Sequence, residues 1–244
     1  MTIGEFSNQF DTLANSYAQR INQGDQSYPN IAFDEYEKSV FLTQSQEAMV
    51  TSLYNGKNAY GDSFESTEEM RRYLSNLVVD VTLDPIENTA GVVYGVDSTS
   101  KFFTLPDDVW YITYEAANTT ISGGKCDGKE KMLDVIPITQ DKYHRVKRNP
   151  FRGANSRRAL RLDLADGVIE IVCNNPINSY YVRYLRKPKP IILVNLSEIG
   201  DLSIGGETTP SGCELHEALH QKILEGAVRL ALQSKGIQIQ DNNR

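Results

Sequence analysis

The sequence has little of what membrane, secreted or disulfide-rich proteins need. No apolar run approaches the roughly 20 residues of a transmembrane helix, and the first ten residues, MTIGEFSNQF, have neither a basic start nor an apolar stretch. We therefore expect no membrane segment and no secretory signal. The three cysteines, Cys126, Cys173 and Cys213, are scattered. This odd number argues against a disulfide framework and favours a reducing compartment.

An excess of positive charge is also missing. The net charge is −7, which argues against a general affinity for nucleic acid. The chain contains no G-x-S-x-G, no P-loop and no G-x-G-x-x-G motif. Its 244 residues, 40% hydrophobic and 23% charged, suit one large domain or two small ones of a soluble protein.

One stretch does match a catalytic signature. The segment HEALH places His216 and His220 four residues apart with Glu217 between them, as in zinc peptidases. A catalytic zinc needs a third protein ligand, but the remaining histidine is His144 and no glutamate follows Glu225. We therefore interpret both histidines as packing residues of a helix and expect no metal and no cofactor.

Apolar residues at helical spacing predict helices over 3–22, 33–55, 66–77 and 213–235. Asp34 is a candidate cap for the second helix, and Ser66 with Glu69 matches a capping box for the third. The second half of the fourth helix, ILEGAVRLALQSKG, is apolar over most of its circumference, which predicts burial on several sides.

The second of these helices has apolar residues on two sides, and it therefore needs two partners. It is either sandwiched within its own domain or contacts another subunit with one side. One side carries Phe33, Tyr36, Val40 and Tyr54, and the roughly opposite side carries Leu42, Met49 and Leu53.

Between residues 78 and 211 the apolar period changes to two, which predicts strands. Strand candidates are VVDVTL (78–83), GVVYGV (91–96), KFFTL (101–105) and VWYITYEA (109–116). Residues 159–173 predict a hairpin with a tight turn at Asp166-Gly167. Residues 177–196 predict two more strands with a break at Pro188 and Pro190.

Residues 142–161, which we call the basic segment, carry eight Lys/Arg and no acid, together with Tyr143 and Phe151. Three interpretations stay open. The segment docks on an acidic face of a neighbouring subunit, lies near nucleic acid, or forms a solvated loop.

Four stretches carry a family resemblance: 33–56, 142–153, 180–193 and 214–236. They resemble a virion structural protein family of crAss-like phages. The order of elements is also similar to the head-to-tail adaptor proteins of short-tailed phages. That likeness implies a homo-oligomeric ring, commonly of twelve copies, whose partners are the portal protein and neighbouring ring or tail proteins. It further implies a channel that double-stranded DNA passes without sequence specificity.

We predict an α+β protein in which residues 1–78 and 212–244 form a helical bundle and residues 79–211 form an inserted β-barrel or sandwich. The expected role is structural and not enzymatic, in the virion at the portal vertex or tail, after assembly in the host cytoplasm. The alternatives are a zinc metallopeptidase and another virion component, either a capsid decoration or a carbohydrate-binding tail module.

The predicted packing residues, some of them between subunits, are Phe33, Tyr36, Leu42, Met49, Leu53, Leu224, Val228 and Leu232. The predicted charged contacts are Arg145, Arg148, Arg152, Arg157 and Arg158.

Overall fold

The computed structural model describes residues 1–21, 31–57, 61, 63–87, 100–121, 128–200 and 202–237. The helices are α1 (Ile3–Ile21), α2 (Glu35–Asn55), α3 (Glu68–Tyr73), α4 (Gln140–Lys147) and α5 (His220–Ser234). The strands are β1 (Val78–Leu83), β2 (Lys101–Thr104), β3 (Val109–Thr120), β4 (Glu130–Ile138), β5 (Arg158–Asp163), β6 (Val168–Val172) and β7 (Ile177–Arg186).

The first two predicted helices are confirmed as α1 and α2. Asp34 caps α2 in a full capping box, because its side chain accepts from the Glu37 N–H at 2.6 Å while Glu37 reaches back to the Asp34 N–H. The predicted cap of the third helix is wrong by one residue. Thr67, not Ser66, accepts the Met70 N–H, and a short 3₁₀ turn over Ser75–Leu77 completes the predicted span.

The fourth predicted helix begins later than expected. A 3₁₀ turn covers Glu217–Leu219, and the α-helix α5 starts at His220. Its buried residues form one continuous stripe, and the opposite side is exposed, including Leu230 at 36%. The expectation of burial around most of the circumference is therefore wrong, and α5 is an ordinary amphipathic helix.

Helix α5 packs against both α1 and α2. At its crossing with α2 the backbones come close, because Gly226 has no side chain: a Cβ there would lie 2.5 Å from the Ser45 hydroxyl. That hydroxyl donates to the Ile223 carbonyl at 2.7 Å. Gly226 on α5 and Ser45 on α2 are both small, and this lets the two helix backbones pack closely.

The buried side of α2 is polar over part of its length. The prediction that this helix has two apolar sides is therefore wrong in part. Ser39, Thr43 and Gln46 are buried at helical spacing. They bind the backbone of the extended chain at 189–193: Ser39 accepts the Leu193 N–H at 3.0 Å and Thr43 accepts the Ile191 N–H at 3.1 Å. Gln46 donates to the Lys189 carbonyl at 2.7 Å. Side chains of α2 thus make the hydrogen bonds to this extended backbone that a neighbouring strand would otherwise make.

This extended chain is where the second predicted strand of 177–196 was expected. Instead of a regular strand, it forms one isolated bridge between Ile192 and Ser211. The predicted break at Pro188 and Pro190 is confirmed, since β7 ends at Arg186.

The strands of the described residues form one seven-stranded sheet in the order β1-β7-β3-β4-β5-β6-β2. The predicted hairpin is confirmed as β5–β6, with positive φ at both Asp166 and Gly167, as a type I′ turn requires. The other pairs are antiparallel except β4–β5, which is parallel and is connected through α4. Of the strand candidates, 91–96 lies outside the described residues.

The sheet is curled into a half-barrel. All seven strands contribute to one apolar core, from Val81 on the β1 edge to Phe103 on the β2 edge. A flat sheet of seven strands would be roughly 29 Å wide, so its two edges could not share a core. The side that carries this core is the concave face. On the convex face, α4 covers β5 and β6, with Tyr143 packed on Leu160 and Leu162.

The structure divides into two compact units, which we call the helical unit (Met1–Leu77 with Pro188–Arg244) and the sheet unit (Val78–Lys187). The α+β prediction is confirmed. Residues 188–211, predicted as part of the β-rich insert, pack with the helices. The division of the chain into a bundle domain and an inserted β-rich domain stays a prediction. None of the described helices is both long enough and apolar enough to cross a membrane.

Candidate interaction surface

The HEALH segment is not a helical metal-binding pair. His216 precedes the 3₁₀ turn and its Nδ1 accepts the Ala218 N–H at 3.2 Å, while His220 opens the α-helix that follows. The prediction that both histidines pack inside the protein is half correct. His220 is 5% exposed, whereas His216 is exposed and its ring lies 5.7 Å from that of Tyr73.

Both ring nitrogens of His220 are engaged. Nε2 lies 3.0 Å from the Leu215 carbonyl, which can only accept, so Nε2 carries the proton. Nδ1 then accepts from the Met1 nitrogen at 2.7 Å. Burial lowers the pKa of His220. A neutral ring with its one lone pair already in use is a poor zinc ligand.

The described thiols are not activated nucleophiles. Burial raises the pKa of Cys213 to about 11 and also raises the pKa of the buried Cys173. A thiol reacts as its thiolate, and burial disfavours that form in both cases. Cys126 lies outside the described residues.

Six of the eight predicted packing residues are buried within the chain itself. These six are Phe33, Leu42, Leu53, Leu224, Val228 and Leu232. Phe33, for example, packs edge-on against Phe10 with ring centroids 5.6 Å apart. A side chain covered by its own chain offers no surface to a neighbour, so only Tyr36 and Met49, which are half-buried, are available for the predicted contact between subunits. That contact stays a prediction.

The basic segment contains α4, which the sequence analysis missed although Tyr143 and Val146 have helical spacing. Tyr143 is buried and anchors the helix on the sheet. Four of the five predicted arginines are exposed: Arg145, Arg148, Arg152 and Arg157. The fifth, Arg158, is half-buried and donates to the Phe151 carbonyl at 3.0 Å.

Arg161, the last cation of the basic segment, points into the concave core instead. Its guanidinium lies 2.8 Å from Glu115 and 3.0 Å from Asp163, and Tyr180 donates to Glu115 at 2.7 Å. Burial raises the pKa of Glu115, and the positive charge of Arg161 opposes that rise. The sequence showed no signal for this network, because its members come from three strands that are distant in the chain.

The structure also shows exposed apolar side chains, of which the sequence analysis named only Phe151. On the convex face beyond α4, Tyr114 of β3 is 49% exposed, and Met132 and Ile136 of β4 are 52% and 37% exposed. We call these three residues the open sheet face. Phe151, at the tip of the basic segment, is 86% exposed. The pattern of β4 could not reveal which side is open, because apolar residues occupy both of its faces.

Charge is divided unequally between the two units. The helical unit has 18 Asp/Glu and 10 Lys/Arg, whereas the sheet unit has 14 Asp/Glu and 15 Lys/Arg. Eight of those 15 cations lie in the basic segment. The negative charge of the protein therefore resides in the helical unit.

Exposed aromatic, methionine and arginine side chains on one surface are typical of proteins that work through contacts with other proteins. The chain belongs to the phage tail ring protein 3/4 family, whose model matches residues 1–243. It is 46% identical over 237 residues to Ring protein 3 of Bacteroides phage crAss001, covering 96% of each chain. It is 32% identical over 238 residues to Ring protein 4/5 of the same phage, covering 95% of this chain and 92% of that protein.

The resemblance to virion structural proteins of crAss-like phages is thus confirmed, and the protein is a structural ring protein of a phage tail or virion.

Proposed function

We propose that the chain forms a homo-oligomeric ring of twelve copies at the head-to-tail junction. The observation that carries the proposal is the family assignment, supported by two relatives that are themselves named ring proteins. In this proposal the portal protein and neighbouring ring or tail proteins are the partners, and assembly takes place in the host cytoplasm.

The ring surrounds a channel for double-stranded DNA. A net charge of −7 supports this role, because a wall that repels phosphates lets DNA slide, whereas a basic wall would hold it. In this proposal the role is structural and not enzymatic: His220 has no lone pair left for a metal, and burial raises the pKa values of the Cys173 and Cys213 thiols.

Cryo-electron microscopy of virions, together with electron microscopy of the purified protein, tests the proposal. We expect closed rings of the purified chain and matching density next to the portal, with the copy number read from the symmetry. A purified chain that stays monomeric, or density for this chain only on the capsid surface, would overturn it.

A further inference from the structure

We propose that the open sheet face and the basic segment together form one docking surface, and that its partner is the acidic helical unit of a second copy of the chain. The inference rests on the proposed ring and specifies how neighbouring copies hold each other.

The two parts of this surface are contiguous. Asp134, between Met132 and Ile136 on β4, pairs in register with Arg158 on β5. Arg158 in turn donates to the Phe151 carbonyl at 3.0 Å. Lys131 of β4 also donates to the Ser156 carbonyl at 2.6 Å. The loop that carries Phe151 is thus tied to the strand that carries two of the three open-face residues.

The surface has the composition of an interface. Tyrosine, methionine, phenylalanine and arginine are enriched at protein contacts, with an apolar centre and a charged rim. Here Tyr114, Met132, Ile136 and Phe151 supply the apolar area, and exposed arginines surround the loop. A phenylalanine that is 86% exposed gains free energy by burial, so it is a natural anchor for a partner.

The distribution of charge indicates which part of a second copy fits this surface. Within the part of the chain that the structure describes, no carboxylate pairs with the side chains of Arg145, Arg148, Arg152 or Arg157. The helical unit, with 18 acidic and 10 basic residues, offers the complementary charge. The sheet unit of a second copy, which has 14 acidic and 15 basic residues, does not.

Ring closure requires two different contact surfaces on each copy. A ring closes through a heterologous contact, in which one surface of each copy meets a different surface of the next. A basic, aromatic surface on the sheet unit and an acidic helical unit are two such different surfaces on one chain. An isologous contact of the sheet units with each other would bring like charges together.

Photo-crosslinking tests this proposal. A benzoylphenylalanine is placed at position 151 in the full-length chain, and rings are assembled from an equal mixture of ¹⁵N-labelled and unlabelled copies. We expect mixed-isotope crosslinks from position 151 to residues 1–77 or 188–237. The same probe at Ile86, which is 38% exposed and bridges to β2 at the other end of the sheet, is the matched control and should give few crosslinks between copies.

Charge reversal gives a second measurement. The double variant Arg148→Glu/Arg152→Glu should raise the concentration needed for ring assembly about tenfold or more, and assembly of the wild type should weaken with added salt. Lys101→Glu, an exposed cation on β2, is the control and should assemble as the wild type does.

Three results would overturn the docking surface while the ring itself stands. The first is crosslinking from position 151 to residues 78–187 of another copy. The second is a double variant Arg148→Glu/Arg152→Glu that assembles as the wild type does, and the third is a double variant that changes only how well the ring retains DNA. A wild-type chain that never forms rings would instead overturn the proposed function.

Discussion

Buried polar groups are satisfied differently by the neutral side chains of α2 in the helical unit and by the ion pair in the core of the sheet unit. In the helical unit, neutral side chains on α2 satisfy backbone groups of the chain at 189–193. The helical unit also holds a buried charge, since Lys38 is 3% exposed and lies 2.7 Å from Asp11 and 2.9 Å from Glu35.

In the sheet unit, Glu115 and Arg161 form a buried ion pair in the concave core, and the exposed Asp163 also contacts the Arg161 guanidinium. Loss of one neutral hydrogen bond leaves the other hydrogen bonds in place. Removal of one member of a buried ion pair instead leaves the other charge buried and uncompensated. Loss of one neutral hydrogen-bonding group on α2 should therefore be tolerated better than loss of one charge of the Glu115–Arg161 pair.

The largest expected effect is in the Glu115–Arg161 pair. Arg161→Met leaves Glu115 buried without its cation, and we expect a loss of about 3–5 kcal/mol in the free energy of unfolding at neutral pH. Urea denaturation measures it. Because burial already raises the pKa of Glu115, the carboxyl is protonated as the pH falls and the deficit should shrink toward acidic pH.

The double variant Arg161→Met/Glu115→Leu is the control for that experiment, since it removes both charges and should recover most of the loss. An Arg161→Met variant as stable as the wild type would contradict the contrast between the neutral contacts of α2 and the buried ion pair.

Core packing of the helical unit gives the next effect. Leu224→Ala removes a fully buried side chain from α5, and we expect a loss of about 2–5 kcal/mol in the free energy of unfolding. Leu230→Ala on the same helix is the matched control, because Leu230 is 36% exposed; it should change stability by less than about 0.5 kcal/mol. Equal losses for both variants would mean that α5 is covered on both sides.

The neutral polar contacts of α2 come third. Thr43→Val removes the hydroxyl that accepts the Ile191 N–H and leaves that buried donor without a partner. We expect a loss of about 1–3 kcal/mol, measured by urea denaturation. Thr51→Val is the control, since that hydroxyl donates to the Glu47 carbonyl of its own helix at 3.0 Å. A Thr43 variant no less stable than the control would show that the extended chain does not depend on α2.

The smallest effect is a pH dependence at His220. Because burial lowers the pKa of His220 in the folded protein, the unfolded chain binds more protons below pH about 6.5. The stability from the neutral ring is present above that pH and is lost as the pH falls, by at most about 1.4 kcal/mol per pH unit. Wild type should lose more stability than His220→Gln between pH 7.5 and 5.5. Equal losses of stability in the wild type and the His220→Gln variant would show that a group other than His220 titrates in this pH range.

Sequence patterns predicted those features that depend on neighbours along the chain. The first two helices, the Asp34 cap and the Asp166-Gly167 hairpin were confirmed because spacing, capping and positive φ are local requirements. The start of α5 was missed because the HEALH segment has acceptable helical composition. His220 is instead held by contacts with Leu215 and Met1, and the second of these is remote in sequence.

The candidate surface was predicted only in part. A run of cations without acids is visible in the sequence, and the exposure of four of the five chosen arginines agrees with it. The open sheet face was not visible, since β4 has apolar residues on both faces and only the position of α4 decides which side is covered.

The sequence by itself determined the α+β composition, the local caps and turns, the acidic balance, and the resemblance that the family assignment confirmed. Only the tertiary structure decided that Arg161 lies in the core while Arg148 and Arg152 face solvent, and that the polar stripe of α2 binds an extended chain. The physical reason is that burial depends on partners distant in the sequence, and identical residue types become core or surface according to what covers them.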